Sequence, residues 1–324
     1  MGVEFRNEGV KSNVLGKPMK EPQDVPFEKE GQYLKSDNRS NISYFLEHNV
    51  LLRRFTLSVG VLVNYNSALN EGIHFYPGID ASYRIGDNFR LYGSWNRALR
   101  MPTFTDLYYE GKTNKGNPDL KPEESEAFEV GLKYNTYFLR AHIAGFYRKG
   151  KNMIDWVKEK PEDIWESRNL TKVDNLGFET NLSLLPRELG NERFFIRKIE
   201  LGYAFIHQDK DSEGYISNYA LDYLKHKFTA QLSHSIWKGF SATWYVRWQD
   251  RAGSYTKYEN LKPAYEEPYA PYCLVDMKVN WEYQRLNLYA ELNNLLNSTY
   301  YDLGNIPQPC LLYTSPSPRD KRQS

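Results

Sequence analysis

From Phe55 the chain alternates one residue at a time. Phe55, Leu57, Val59, Val61, Val63 and Tyr65 fall on one side, and Thr56, Ser58, Gly60 and Asn64 on the other, the period of two that a β-strand with one apolar face requires. Residues 116–134, GNPDLKPEESEAFEVGLKY, show the recurring unit in full. Gly116, Asn117, Pro118 and Pro122 punctuate a loop that can continue neither a helix nor a central strand. After it Phe128, Val130, Leu132 and Tyr134 alternate with Glu129, Gly131 and Lys133. Asn135 and Thr136 turn the chain into a second run, with Leu139, Ala141, Ile143 and Tyr147 against Arg140, His142, Ala144 and Arg148. A long loop thus feeds a tight hairpin.

Along the whole chain this pattern predicts strands over residues 2–8, 38–48, 55–65, 74–85, 89–96, 127–134, 139–156, 165–184, 199–205, 228–233, 240–249, 275–281 and 286–293. That is about thirteen antiparallel strands of about ten residues, joined alternately by tight turns and long loops. Residues 9–37 carry Lys, Glu, Pro and Gly without periodicity and read as one long loop; residues 208–225 and 250–270 read likewise. The polar faces hold Glu129, Arg140, Glu200, Arg247, Lys278 and Glu291 in mid-strand, which a wide hydrated lumen accepts. The expected fold is therefore all-β, an antiparallel transmembrane β-barrel whose apolar face meets lipid. A soluble β-sandwich would use the same alternation, but with strands of about five to six residues. Only a closed barrel leaves no unpaired backbone edge in lipid, so thirteen strands imply an incomplete chain.

Composition narrows the alternatives. The 324 residues contain no apolar run of helix-spanning length, which excludes helical membrane spans. The 42 basic and 41 acidic residues leave a net charge of +1, so there is no electrostatic footprint for nucleic acid. Aromatic residues make up 15%, with 26 Tyr and 7 Trp; such rings suit a membrane interface or a sugar-binding face. Cys273 and Cys310 make no disulfide framework.

The strings SWNRALR, LRMPTFTDLYY and GNPDLKPEESEAFEVGLKY resemble the β-barrel of bacterial TonB-dependent outer-membrane receptors. FYRKGKNMIDWV (residues 146–157), NLTKVDNLGFETNLSL (169–184) and AELNNLLNSTYYD (290–302) extend the match over nearly all of residues 36–306. The resemblance implies a barrel of about 22 strands around a plug, located in the outer membrane. By the same comparison the plug, the TonB box and about eight early strands are missing before Met1, and the final strand is missing after Pro309. Residues 1–309 are thus expected to be a partial barrel. Residues 310–320, CLLYTSPSPRD, resemble a translated transposase adapter used in shotgun DNA sequencing, so residues 310–324 are expected to be an artefact without structure.

The resemblance implies a vitamin B12 or siderophore receptor that binds its nutrient at the outer loops and imports it with TonB energy. The partners it implies are TonB, outer-membrane lipid, a small-molecule nutrient and a surface lipoprotein, with no cofactor. Tyr108, Tyr109, Tyr215, Tyr219, Tyr255 and Tyr258 lie in the long loops and are the candidates for closing over a ring-bearing ligand. Arg140, Arg247, Lys278 and Glu291 are the candidate lumen-lining charges. The six His are scattered, so no catalytic constellation is expected. In residues 209–214, DKDSEG, carboxylates stand at loop positions one, three and five, but Ala220 occupies the twelfth, where calcium needs a bidentate Glu; no metal site is expected. A soluble or surface aromatic-rich binding protein, a lectin or adhesin, is the alternative that the tyrosine content supports.

Overall fold

The computed structural model describes residues 1–324 apart from 29–30, 70–71, 161, 191–193, 212–213, 218–222, 260–261, 303–305, 309–311 and 315–324. In chain order the elements are β1 (Gly2–Ser12), β2 (Lys17–Asp24), β3 (Gln32–Leu51), β4 (Phe55–Asn66), β5 (Ile73–Ile85) and β6 (Phe89–Arg100), followed by the one-turn helix α1 (Phe104–Tyr108). Then come β7 (Asn114–Lys115), β8 (Glu123–Asn135), β9 (Leu139–Lys158), β10 (Trp165–Leu184), β11 (Ile196–Asp211), β12 (Ile216–Ser217) and β13 (Leu224–Trp237). The chain continues through β14 (Phe240–Arg251), β15 (Ser254–Glu259), β16 (Lys262–Pro268), β17 (Tyr272–Tyr283), β18 (Leu286–Asn293) and β19 (Leu312–Thr314).

Thirteen of these are long strands that pair antiparallel in the order β1-β3-β4-β5-β6-β8-β9-β10-β11-β13-β14-β17-β18. No pairing among the described residues joins β1 to β18, so the sheet is an open arc. Tight turns close one end of each hairpin, as at residues 86–88 and 238–239, and the long connections gather at the other end.

Cross-strand register separates two faces. Trp95, Phe128 and Tyr147 stand in one row, and Leu91, Leu132 and Ile143 in another. These residues form the outer, apolar face; Phe128, Val130 and Ile143 are 44%, 59% and 52% exposed, as side chains that meet hydrocarbon must be. The opposite face carries Lys133, Arg140, His142, Glu200, Arg247 and Asp276 around a cavity of ≈ 710 Å³. Arg140 and Arg247 line that cavity, and Lys278 and Glu291 stand opposite each other on the same face, joined at 2.5 Å.

Several expectations need correction. Residues 9–37 are not one loop: β1 extends to Ser12, β2 occupies Lys17–Asp24, and β3 begins at Gln32. Val10 pairs with Asp37 and Lys11 with Ser36, so this ribbon is held by its backbone ladder and has no apolar stripe to announce it. The loop at 250–270 contains the β15–β16 hairpin, and the loop before residue 123 contains α1 and β7. Asp209 and Asp211, from the calcium-like string, lie within β11 opposite Asp174 and Lys172; Ser212, Glu213 and Ala220 lie outside the described residues. Leu312–Thr314 pair with Glu291–Asn293.

Candidate functional site

The long-connection end of the arc is roofed by residues 101–122. Thr103 caps α1: its hydroxyl accepts from the Asp106 N–H at 3.1 Å, and Asp106 accepts from the Thr103 N–H at 2.9 Å. This reciprocal pair satisfies donors that a one-turn helix would otherwise leave open. Gly116 then passes so close to the backbone at Leu107 and Tyr108 that a Cβ would lie 2.8 Å from it. That approach lets the Gly116 N–H donate to Tyr109 O at 2.6 Å.

The roof is tied down on both sides of the lumen. On β3, Arg39 is 8% exposed; its guanidinium donates to Pro102 O at 2.6 Å, to Glu8 Oε2 at 2.6 Å, and lies 4.9 Å over the Phe104 ring. Tyr108 donates to Asp37 Oδ2 at 2.6 Å. Burial, then the Asp37 hydrogen bond and charge, raises the Tyr108 phenol above its ordinary pKa. On β10, the fully buried Ser167 hydroxyl donates to Asp106 O at 2.5 Å. Asn169 accepts from the Lys121 N–H at 2.8 Å and donates to Lys121 O at 2.9 Å. The pair β7 and β10, parallel at Asn114–Lys115, completes the anchor. Asp37 and Arg39 share the inner face of β3 with Asn41 and Ser43, which pair with Asn66 and Asn64. The roof therefore lies on the lumen side.

A second loop grips the same β9–β10 ribbon from the opposite face. Trp156 and Ser167 are opposite one another and face inward, while Asp155 and Arg168, the neighbouring pair, face outward. Arg168 donates to the Tyr215 hydroxyl at 2.5 Å and lies 4.8 Å over its ring; Ser217 donates to Asp155. Tyr109 sits on the other side, edge-on to Trp156 with centroids 6.5 Å apart.

The candidate tyrosines consequently do not converge. Tyr108 and Tyr109 are inward on the roof, Tyr215 is outward, and Tyr255 is buried, with its ring 5.2 Å from both Tyr269 and Tyr301 and its hydroxyl donating to Glu267 at 3.2 Å. Tyr219 and the side chain of Tyr258 lie outside the described residues. Trp156, Arg39 and Asp37 were not singled out from the sequence, although T-x-x-D at Thr103–Asp106 is a readable helix-start signal.

An open arc of long strands with an apolar exterior, a polar lumen and a loop-end roof is the wall of an outer-membrane β-barrel, and the chain belongs to the TonB dependent receptor-like β-barrel family, whose model matches residues 1–295. It is an outer-membrane protein. The chain is 26% identical over 225 residues to the vitamin B12 transporter BtuB of Vibrio vulnificus, covering 52% of this chain and 36% of the relative. It is 22% identical over 292 residues to the ferrienterobactin receptor of Escherichia coli, covering 81% and 37%. Among solved structures it resembles the ferric enterobactin receptor PfeA of Pseudomonas aeruginosa, a mutant in complex with enterobactin, with a TM-score of 0.71 at 19% identity over 97% of this chain and 50% of that one. The siderophore receptor PirA of Acinetobacter baumannii gives a TM-score of 0.69 at 16% identity, over 96% and 50%. The chain thus spans about a third of the curated relatives it matches and half of these solved receptors.

Proposed function

We propose that this chain forms barrel wall and outer loops of an active-transport receptor that binds a scarce nutrient, cobalamin or a ferric siderophore, and imports it with energy delivered by TonB. The observation that carries this reading is the inward-facing roof, where Tyr109 and Trp156 stand edge to face above a polar, cavity-bearing lumen. Aromatic rings there offer a ring-bearing ligand a large, rigid contact area, and the hydrated charges below give a polar path away from the mouth. The relatives support the reading through what they carry: vitamin B12 for BtuB and ferric enterobactin for PfeA.

The test is uptake. The complete gene is placed in a host lacking its own cobalamin and siderophore receptors, and entry of labelled cyanocobalamin and of labelled ferric siderophores is followed with and without TonB. Uptake of either nutrient that stops when TonB is removed is the expected result; binding and uptake of neither would overturn the reading.

A further inference from the structure

Two neighbouring hairpins at the tight-turn end share one construction. In the β13–β14 hairpin, Trp237 and Phe240 face each other across Lys238 and Gly239; in the β17–β18 hairpin, Tyr283 and Leu286 face each other across Gln284 and Arg285. Each turn carries one exposed cation at its tip, with an apolar pair closing the strands beneath it. β14 pairs with β17, and the Glu282 N–H donates to Gly239 O at 3.0 Å, so the ladder runs up to the turn and sets the two tips side by side. Gly239 allows this with a φ of 76°, a left-handed conformation that a side chain would strain.

The apolar pairs are on the lipid side. Arg247 and Asp276 line the lumen, and Phe240, Trp281 and Tyr283 each lie an odd number of residues from one of them, on the opposite face of their strands. There the three rings make a continuous shelf: Phe240 and Trp281 stack with centroids 5.8 Å apart, and Trp281 and Tyr283 at 5.9 Å. Trp237, Tyr283 and Leu286 extend it and are exposed. Trp and Tyr rings at the end of an apolar band mark the level where hydrocarbon gives way to headgroups. Lys238 and Arg285 stand just beyond that level, at the depth of lipid phosphates.

The charge of this patch is unbalanced. Neither Lys238 nor Arg285 forms an ion pair among the described residues. Glu282 is the one carboxylate in residues 236–240 and 281–287, but it alternates with Trp281 and Tyr283 and so lies on the lumen face, where it accepts from Asn280 at 3.0 Å. Two strand spacings, about 10 Å, separate the tips, a gap that the long Lys and Arg side chains can close from both sides onto one phosphodiester. Arg offers it a fork of donors and Lys a point charge. A zwitterionic headgroup would bring its own cation to a face that has no carboxylate; an anionic headgroup brings none. The ring shelf gives acyl chains a surface that a free phosphate cannot use.

We propose that Lys238 and Arg285, above the shelf of Phe240, Trp281 and Tyr283, form a binding site for an anionic glycerophospholipid in the leaflet that the tight turns enter. The phosphodiester sits between the two cations and the acyl chains lie along the rings. The site does not depend on the nutrient reading: uptake of neither nutrient would leave it standing, and its own failure would leave uptake untouched.

The test uses the complete receptor in phosphatidylcholine bilayers doped with a photoactivatable phosphatidylglycerol or the matching phosphatidylcholine, each with a diazirine in an acyl chain near the glycerol. After irradiation the labelled peptides are quantified by mass spectrometry. Phosphatidylglycerol should label the peptide around Trp281 and Tyr283 about fivefold more than phosphatidylcholine does, a preference of ~1 kcal/mol, while residues 128–132 in the apolar band take both labels equally. The Lys238→Gln, Arg285→Gln variant should lose the excess and keep the labelling of 128–132, which reports the folded wall; Lys238→Arg should keep both. Equal labelling around Trp281 by the two lipids, or an excess that survives Lys238→Gln, Arg285→Gln, would overturn the proposal. So would loss of the excess on adding millimolar glycerol phosphate, which would make the ligand a free anion.

Discussion

The Tyr108 hydroxyl donates a 2.6 Å hydrogen bond to Asp37 Oδ2, joining α1 to the inner face of β3 across 71 residues. Tyr108→Phe leaves a half-buried carboxylate short of a donor, a change that costs about 1–3 kcal/mol locally. Hydrogen exchange at residues 104–108 should quicken accordingly, while the strands β8 and β9 keep their protection. The bond is also alkali-sensitive. Because the folded phenol is raised above 10.0 by burial and then by Asp37, its share of roof stability is complete below that unfolded value and is lost as pH rises through the folded one. Unchanged exchange in the variant would show that the roof is held elsewhere.

In the β15–β16 hairpin, Lys257 and Glu267 meet at 2.6 Å. The Lys257 hydrogen bond is the main reason that the Glu267 carboxyl sits below its usual 4.5. Its contribution is therefore full above pH 4.5 and disappears as pH falls through the lower, folded value. Lys257 is raised above 10.5 by the same bond, so that contribution fades only under strong alkali. Protection of the hairpin amides should hold at neutral pH and drop below about pH 4.5, and Glu267→Gln should remove the acid step.

Tyr109 and Tyr215 pack against opposite faces of the β9–β10 ribbon. Tyr109→Ala removes the inward ring beside Trp156 and is expected to weaken nutrient binding by about tenfold, or ~1.4 kcal/mol. Tyr215→Ala removes an outward ring and should leave the dissociation constant within about twofold while loosening the loop around Arg168, a cation–π contact of about 0.5–1 kcal/mol. Titration of the intact receptor with its nutrient distinguishes them. The reverse order would put the ligand outside the arc.

Val130 and Glu129 are neighbours on opposite faces of β8. Val130→Arg places a charge in hydrocarbon and should destabilise the barrel by about 2–4 kcal/mol. Glu129→Gln keeps an acceptor for Tyr92 in a hydrated lumen and should change stability by less than about 0.5 kcal/mol. Urea unfolding in lipid vesicles measures both.

The thirteen long strands were legible because burial against lipid and exposure to the lumen impose a two-residue period, as at Phe128, Val130 and Leu132. Trp165–Leu184 matches its expected bounds without adjustment. The period fails where a ribbon has no apolar side. Around Lys35, Ser36 and Asp37, opposite Ser12, Lys11 and Val10, the strands pair through their backbone ladder without an apolar stripe, and residues 9–37 read as loop. The one-turn helix α1 shows no periodicity over its five residues; the capping pair of Thr103 and Asp106 is its local signal. Residue type and loop position point to the candidate tyrosines but cannot tell an inward ring such as Tyr109 from an outward one such as Tyr215 or a buried one such as Tyr255. Those differences arise from register between distant strands.

The most direct measurement is a nitroxide scan of residues 128–134 in the complete receptor, reconstituted in bilayers and read by collision with oxygen and with a water-soluble nickel complex. Oxygen access should peak at 128, 130, 132 and 134, and nickel access, wherever the lumen admits the complex, at 129, 131 and 133. Uniform access to the nickel complex along the whole stretch, or oxygen peaks at the odd positions, would contradict a barrel wall with this face turned to lipid.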